Sequence, residues 1–444
     1  VSGITAKYKP YPAYRGSGIE WLGSVPEHWV VGQLGHYSHV QTGLTLGKTY
    51  DRDDLIARPY LRVANVQDGF VDLTEVTETQ VPPSEASRHE LLAGDVLMTE
   101  GGDFDKLGRG CVWSGEVTGC LHQNHVFAVR PDPRRLLPDF LAALTASATG
   151  RFYFTSTSQQ STNLATTSRT KVKALPIVLP PLPEQRAIVD FLDRETGRID
   201  ALIGKKRRLI ELLEEKRSAL ISHAVTKGLD PDAPMKDSGI EWLGQIPAHW
   251  EVLCNRRLFS ERVEANRPDL PILNVSIHTG VELRTFSESR IEQQCYDRTL
   301  YKVARRGDLA YNTMRMWQGA VGVAPVDGLV SPAYVVCGST ARVLPRYFEL
   351  VYRTDYYRTE VNRYSYGIVP DRNRLYFERF AQMKAPVPPL SEQNHIVDSL
   401  SQQTGRMDQL VARNREAIDK LQEYRTALIS AAVTGKIDVR REQV

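Results

Sequence analysis

The sequence predicts an α+β protein. It should hold two β-rich globular domains, each followed by a long helix. The two helices should pair antiparallel as a coiled coil with pseudo-two-fold symmetry. Three observations predict this. The phrase SGIEWLG at Ser17 to Gly23 returns intact at Ser238 to Gly244, and Pro26, His28 and Trp29 return as Pro247, His249 and Trp250, all shifted by 221 positions. A second phrase, Pro-Leu-Pro-Glu-Gln at Pro181 to Gln185, returns as Pro-Leu-Ser-Glu-Gln at Pro389 to Gln393. Thr196-Gly197-Arg198 and Ala219 to Ser222 return with the same shift of 208, as Thr404-Gly405-Arg406 and Ala427 to Ser430. Third, a long proline-free stretch with helical apolar spacing follows each copy of the second phrase. A repeat this long and literal bounds the architecture before any motif is read.

Taken in order, the expected segments are a first domain at 1–181 with an opening segment at 17–48, a helix at 182–227 and a linker at 228–237. A second domain at 238–388, a second helix at 389–436 and a tail at 437–444 follow. Trp29 to Pro181 spans 152 positions and Trp250 to Pro389 spans 139, so the second variable region is 13 residues shorter. Both carry turn glycines and short Val/Ile/Leu/Tyr runs such as Tyr60 to Val63 and Ala333 to Val336, the pattern of strands. Gly94-Asp95-Val96-Leu97 corresponds to Gly307-Asp308-Leu309-Ala310, a pair suited to a turn entering a strand. Each is followed by a glycine-bearing polar loop, Glu100 to Gly110 and Asn312 to Gly319.

The helical seams are Ile188, Leu192, Ile199, Leu202, Leu209, Leu213 and Leu220, then Ile396, Leu400, Met407, Leu410, Ala417, Leu421 and Leu428. Threes and fours in sum mark coiled-coil character. Lys206 and Asn414 interrupt the seams with polar residues. Such positions can fix register, and drift onto a solvated surface explains them equally well. Gly197, Gly204 and Gly405 predict a break or kink in the first third of each helix. Pro231 and Pro234 mark the linker.

With 444 residues the chain has room for two or more domains, and 41% hydrophobic with 25% charged residues is an ordinary globular composition. The net charge of +3 gives no strong overall field, so nucleic-acid binding would need a polarised surface. Five scattered cysteines without C-x-x-C predict reduced thiols and a cytoplasmic setting. No run of 18 apolar residues occurs, no signal-peptide pattern precedes Ser17, and no membrane partner is expected.

The search for catalysis finds little. Gly43 to Thr49 resembles a phosphate loop but has three residues between its glycines where four are required. Ser331-Pro332-Ala333-Tyr334 lacks the side-chain amide and second proline of an amino-methyltransferase signature. His36/His39 and His122/His125 have a two-ligand spacing, yet no carboxylate or cysteine cluster completes a metal site. No nucleophile elbow appears. The residues argue for a binding protein rather than an enzyme.

The glycine-bearing loops are the best places to read nucleic acid. The first carries Lys106 and Arg109, and the second carries Asn312, Arg315, Trp317 and Gln318. Downstream lie Gln159, Ser161, Asn163 and Arg169 in the first domain, and Arg363, Tyr364, Tyr366, Arg372 and Arg374 in the second. Lys48, Arg62, Asn65 and Asn274 are further polar candidates. Arg, Asn and Gln can pair bidentately with base edges, while Lys, Arg, Ser and Thr hold phosphates. An amphipathic helix and hairpin with solvated arginines accounts for the composition of Arg346 to Phe380 as well. The quartet Lys205 to Arg208, offset by Glu211, Glu214 and Glu215, reads more simply as a solvated helix face.

Together these features resemble the specificity subunit of type I restriction–modification systems, over essentially the whole chain. The carriers are SGIEWLG-x-x-P-x-H-W, the Pro-Leu-x-Glu-Gln phrase at Leu182 to Gln185 and Leu390 to Gln393, and the closing Ala-Leu-Ile-Ser-x-Ala-Val-Thr at Ala219 to Thr226 and Ala427 to Thr434. The resemblance implies two target recognition domains, each reading half of a split sequence in double-stranded DNA. It implies helices that set their separation and dock two methyltransferase subunits, with translocase–nuclease subunits in the full complex. Glu184, Gln185, Glu392 and Gln393 are the expected partner-binding residues. No cofactor is expected in this chain. S-adenosylmethionine, ATP and Mg would belong to the partners, which would methylate adenine and restrict DNA.

Overall fold

The computed structural model describes the chain except residues 1–3, 5–6, 46–49, 51, 103–106, 109, 161–164, 285–297, 368–372 and 441–444. Packing divides it into two units, Val1–Lys206 with Arg415–Val444, and Arg207–Asn414. Each unit therefore holds one globular region, the start of the helix that follows it and the end of the other long helix.

The two globular regions are built on the same sheet. In the first unit four antiparallel strands run in the order Ser38–Thr42, Val126–Pro131, Val96–Thr99, Gly110–Val112. In the second the order is Phe259–Glu261, Tyr334–Ser339, Leu309–Asn312, Val321–Val323. The central strands Val96–Thr99 and Leu309–Asn312 are buried along their length, as expected of apolar runs with little alternation. Register is fixed by pairs such as Phe127 with Met98 and Tyr311 with Val335. Two helices and a polar segment follow the sheet in both, first Pro138–Ala146 and Ala148–Thr157, then Pro345–Tyr352 and Asp355–Tyr364. The second core is rich in rings, with Trp250, Phe259, Tyr311, Phe348, Tyr352 and Phe380 all buried. Leu61, Leu97, Trp113 and Val126 centre a core of the first. Cys111, Cys120 and Cys337 are buried free thiols, and burial pushes the Cys111 and Cys120 thiols up to about 12.

The long seams form two helices, Leu182–Lys227 and Leu390–Val433, of 46 and 44 residues. At 1.5 Å per residue each is about 65–70 Å long. The expected break at the glycines does not occur: helix runs without interruption through Gly197, Gly204 and Gly405. A Cβ at any of the three would meet nothing within 4 Å. Each glycine thus forfeits about 1 kcal/mol of helix propensity, too little to break a helix this long. The seams are buried near the ends, as at Ile188, Leu192, Ile396, Leu400 and Leu428. Mid-helix Leu202, Leu209 and Leu410 are more than 40% exposed, so the seam is not sealed throughout. Within the first unit Asp200 pairs with Arg425 at 3.0 Å, and within the second Arg217 pairs with Asp408 at 3.3 Å. The two pairs are related by the shift of 208.

The repeated phrases have a local physical reason. His28 Nε2 lies 2.9 Å from Glu184, whose other oxygen accepts from Tyr11 Oη at 2.6 Å and Trp29 Nε1 at 3.1 Å. His249 Nε2 lies 2.7 Å from Glu392 in the same way. Gln185 accepts from Leu137 N at 2.9 Å and donates to the Arg135 and Pro180 carbonyls, each at 2.9 Å. Gln393 repeats all three bonds with Leu344 N, Arg342 O and Pro388 O. The expectation of partner binding is corrected for Gln185 and Gln393, which are fully buried. Gln185, Gln393 and the buried Glu184 spend their polar atoms fastening a long helix to the globular region before it, and the half-buried Glu392 adds its bond to His249.

The far ends of the helices are fastened too. Gly435 (φ 69°) lies against Pro26 and Trp29, and Gly228 (φ 77°) lies against Pro247 and Trp250. Both take the left-handed conformation that ends a helix, and at Gly435 a Cβ would sit 2.4 Å from Pro26. Ile437 and Val439 are buried, and Asp438 N donates to Lys9 O at 2.7 Å, so this stretch packs into the first unit.

Candidate nucleic-acid interface

Each sheet ends in a loop whose position follows from the Gly-Asp turn. Gly94 (φ 91°) and Gly307 (φ 89°) make a backbone turn open to glycine. Asp95 is buried and takes Arg130 in a two-pronged pair at 2.7 and 2.8 Å. Asp308 takes Arg262 at 2.6 and 3.2 Å. Charge-assisted bidentate pairs are strong and directional, so the strand beyond each turn is rigidly aimed.

In the first unit the strand Val96–Thr99 runs on into Glu100, which bonds through its backbone to His125 O and Thr167 N at 2.9 and 2.8 Å. Gly101 and Gly102 then pair with Thr166 and Ala165, which pair in turn with Gln159 and Gln160. His125 Nδ1 lies 2.5 Å from the Glu100 carboxylate. The loop returns at Gly108 (φ 65°), where a Cβ would run into the Phe154 ring at 2.2 Å. The edge so formed offers an amide, a hydroxyl, open backbone and an imidazole–carboxylate pair.

In the second unit the strand Leu309–Asn312 continues to Thr313, whose carbonyl accepts from Leu375 N at 2.9 Å. Tyr366 and Arg374 close a bridge beside it. Tyr366 stands 5.6 Å from Tyr376, ring to ring, and the Arg379 guanidinium lies 5.9 Å from the Tyr366 ring. Arg374 donates to Tyr376 Oη at 3.3 Å. Tyr366 is 54% exposed and Tyr376 37%. Arg315 is exposed on the neighbouring turn. Burial raises the Tyr334 phenol, against the smaller opposing pull of Arg315. This edge is aromatic and basic where its counterpart is small and polar.

The structure thus brings Gln159 to the first glycine loop, and Arg374 and Tyr366 to the second. Arg363 is exposed one turn before that edge, paired with Glu360 at 3.4 Å, and Tyr364 is half-buried. Arg169 starts the short helix Arg169–Ala174 and is exposed. Asn274 is exposed on a separate hairpin, Leu273–Ser276 with Gly280–Leu283. Arg62 is half-buried beside Glu75 at 3.7 Å. Lys48, Lys106, Arg109, Ser161, Asn163 and Arg372 lie outside the described residues.

Two candidates, Asn65 and Asn312, are corrected. Asn65 is buried, accepting from Arg62 N and donating to Asp72 O and Glu75 O, each at 2.8 Å. Asn312 is buried and caps its own turn at Met314 N. Trp317 is half-buried, its Nε1 donating to Met314 O at 3.0 Å. Asn65 and Asn312 are thus consumed in holding nearby backbone, while Trp317 keeps part of its ring open. Gly43 also gains a plain reason: a Cβ there would fall 2.0 Å from the His122 carbonyl, so the backbone crossing demands glycine. His122 is buried on Val126 O while His125 faces the surface, so the two rings do not converge. Among the described residues no group of three or more His, Cys, Asp or Glu could hold a metal. No helix among them is long and apolar enough to cross a membrane. Sequence reasoning missed Tyr376, Arg379, Glu100 and His125. The first has a signal in hindsight, since Arg374-Leu375-Tyr376 alternates and places Arg374 and Tyr376 on one face.

No family model matches the chain. Over 94% of its length the chain is nonetheless similar to specificity subunits of type I restriction enzymes. A Methanocaldococcus jannaschii chain, ascribed to the type I restriction enzyme MjaX as its specificity subunit, is 24% identical over 430 residues, covering 94% of this chain and 96% of that one. The HsdS subunit from Thermoanaerobacter tengcongensis matches the fold with a TM-score of 0.51 at 17% identity, over 93% of this chain and 98% of that one. A chain from a structure of a type I restriction–modification system matches with a TM-score of 0.65 at 17% identity, over 93% and 99%.

Proposed function

We propose that this chain is the DNA-reading subunit of a type I restriction–modification complex. The regions 1–181 and 238–388 act as target recognition domains, each reading one half of an asymmetric bipartite sequence. The long helices pair antiparallel with a pseudo-two-fold relation, set the spacer and dock two methyltransferase subunits. Translocase–nuclease subunits join in the full complex. Adenine methylation and restriction, with their S-adenosylmethionine, ATP and Mg, belong to those partners.

One observation carries this reading. Both units assemble the same edge, a loop beyond a Gly-Asp strand backed by a segment from behind two helices, and fill it with different side chains. An identical frame with unlike readers suits two unlike half-sites. Arg374, Arg379, Arg315 and the Tyr366–Tyr376 pair suit base edges and phosphates. Gln159, Thr166, Gly101 and Gly102 suit close approach of a backbone and amide readout. Two linked readers gain affinity through their fixed span, and half-sites on one DNA face lie about 34 Å apart. The ion pairs Asp200–Arg425 and Arg217–Asp408 support the antiparallel symmetric helix pair.

Methylation mapping of DNA exposed to this chain with its methyltransferase tests the proposal. A split, asymmetric motif methylated on both strands is expected. A single contiguous motif, or methyl transfer by the purified chain alone, overturns it.

A further inference from the structure

We infer that the repeated turn Gly18–Leu22 and its copy Gly239–Leu243 are two equivalent docking points for one partner, each presenting a glutamate, Glu20 or Glu241, to a basic side chain. The argument is residue-by-residue accounting of the phrase SGIEWLG. The Ser17 and Ser238 hydroxyls accept from the backbone of Ile19 and Ile240, each at 3.1 Å. Gly18, Gly239, Gly23 and Gly244 all have positive φ, between 60° and 77°. Leu22 and Leu243 are buried, and Ile19 and Ile240 half-buried. Trp21 packs on Phe152 at 5.9 Å, and Trp242 on Tyr357 at 5.6 Å. Folding therefore explains every repeated side chain but one. Glu20 and Glu241 are exposed, and among the described residues neither has an ion pair or side-chain hydrogen bond.

Exposed neighbours supply the control. Ser24 is replaced by Gln245 and Glu27 by Ala248, so idle surface positions in this same stretch have drifted apart. His28 and His249, also exposed, are kept, and each has its bond to Glu184 or Glu392. A side chain kept twice without an internal bond points to an external one that is the same on both sides. DNA is excluded as that contact, because a phosphate repels a carboxylate and the two reading edges differ. A protein present in two copies and offering Lys or Arg fits.

The turns are also held ready. Lys436 donates to the carbonyls of Leu22 and Ser24, at 3.5 and 2.6 Å. Lys227 donates to those of Leu243 and Gln245, the positions 221 further on. The two lysines occupy opposite orders, Lys227-Gly228 against Gly435-Lys436, yet meet equivalent atoms. Such preorganisation lowers the ordering cost of docking.

The inference rests on the reading above, in which the two-copy partner is the methyltransferase subunit. The test is native mass spectrometry and binding titration of the full chain with that subunit, using Glu20→Lys, Glu241→Lys, the double variant and Glu27→Lys. Each single reversal should leave one copy bound and weaken the other at least ten-fold, the double should lose both, and Glu27→Lys should bind two as the natural chain does. Two copies bound at unchanged affinity by the double variant overturn the inference. If reversal lowers the melting temperature, Glu20→Gln with Glu241→Gln decides, and undiminished binding there overturns it equally. Failure of the natural chain to bind two copies would instead sink the functional reading itself.

Discussion

Gln185 and Gln393 show how much one side chain can fasten. Each satisfies one backbone N–H and two carbonyls in a fully buried place. Gln185→Leu leaves those groups without partners, and a buried unsatisfied group costs about 1–3 kcal/mol. A loss of about 3 kcal/mol is therefore expected in urea melts, with Gln393→Leu alike. A second residue gives a pH dependence. Burial pushes the His122 imidazole down to about 4, and its Nε2 has no partner. The folded value lies below the unfolded one, so the unfolded chain binds the extra proton. The stability is whole above about pH 6.5 and is lost as pH falls toward 4, on the order of 3 kcal/mol. Melting between pH 7 and 4.5 should show this decline, and His122→Asn should remove that part of it.

At the scale of elements, the long helices carry glycines they do not need. Gly197→Ala and Gly204→Ala add a methyl into open space on an unbroken helix, and each should stabilise by about 1 kcal/mol. A lowered melting temperature would mean that the helix does bend there. The ion pairs between the helices are half-exposed, with side chains 35–60% open to solvent. A double-mutant cycle on Asp200 and Arg425 should give no more than about 1 kcal/mol. Their value lies in register, so exchanging the two charges should restore what either single change loses.

At the scale of the molecule, the frame and the readers should separate. On the proposed function, exchanging Trp29–Pro180 for the matching region of a related specificity subunit should change one half-site of the methylated motif and leave the other intact. A change in both would break the modular reading. Four residues inserted after Ile203 add about one helical turn, roughly 6 Å, and should lengthen the preferred spacer in the same methylation assay. An unchanged spacer would mean that the helix is not the ruler.

The sequence by itself determined the doubled frame, the long helices and the Gly-Asp turns. Those features depend on local rules: an apolar period, the φ that only glycine adopts freely, and repetition of whole phrases. It also pointed to the two loop regions, because their glycines and polar residues have no role in a buried strand. Which side chains stand on the edges was decided by tertiary structure alone. Asn65, Asn312 and Gln185 have the chemistry of readers and binders, yet each is turned inward onto backbone groups, within 10 residues for Asn65 and Asn312 and up to 50 residues away for Gln185. The meeting of Thr166 with Gly101, and of Leu375 with Thr313, joins segments about 60 residues apart. Composition records that a polar group is present. Only the packed chain decides whether its hydrogen bonds are already spent.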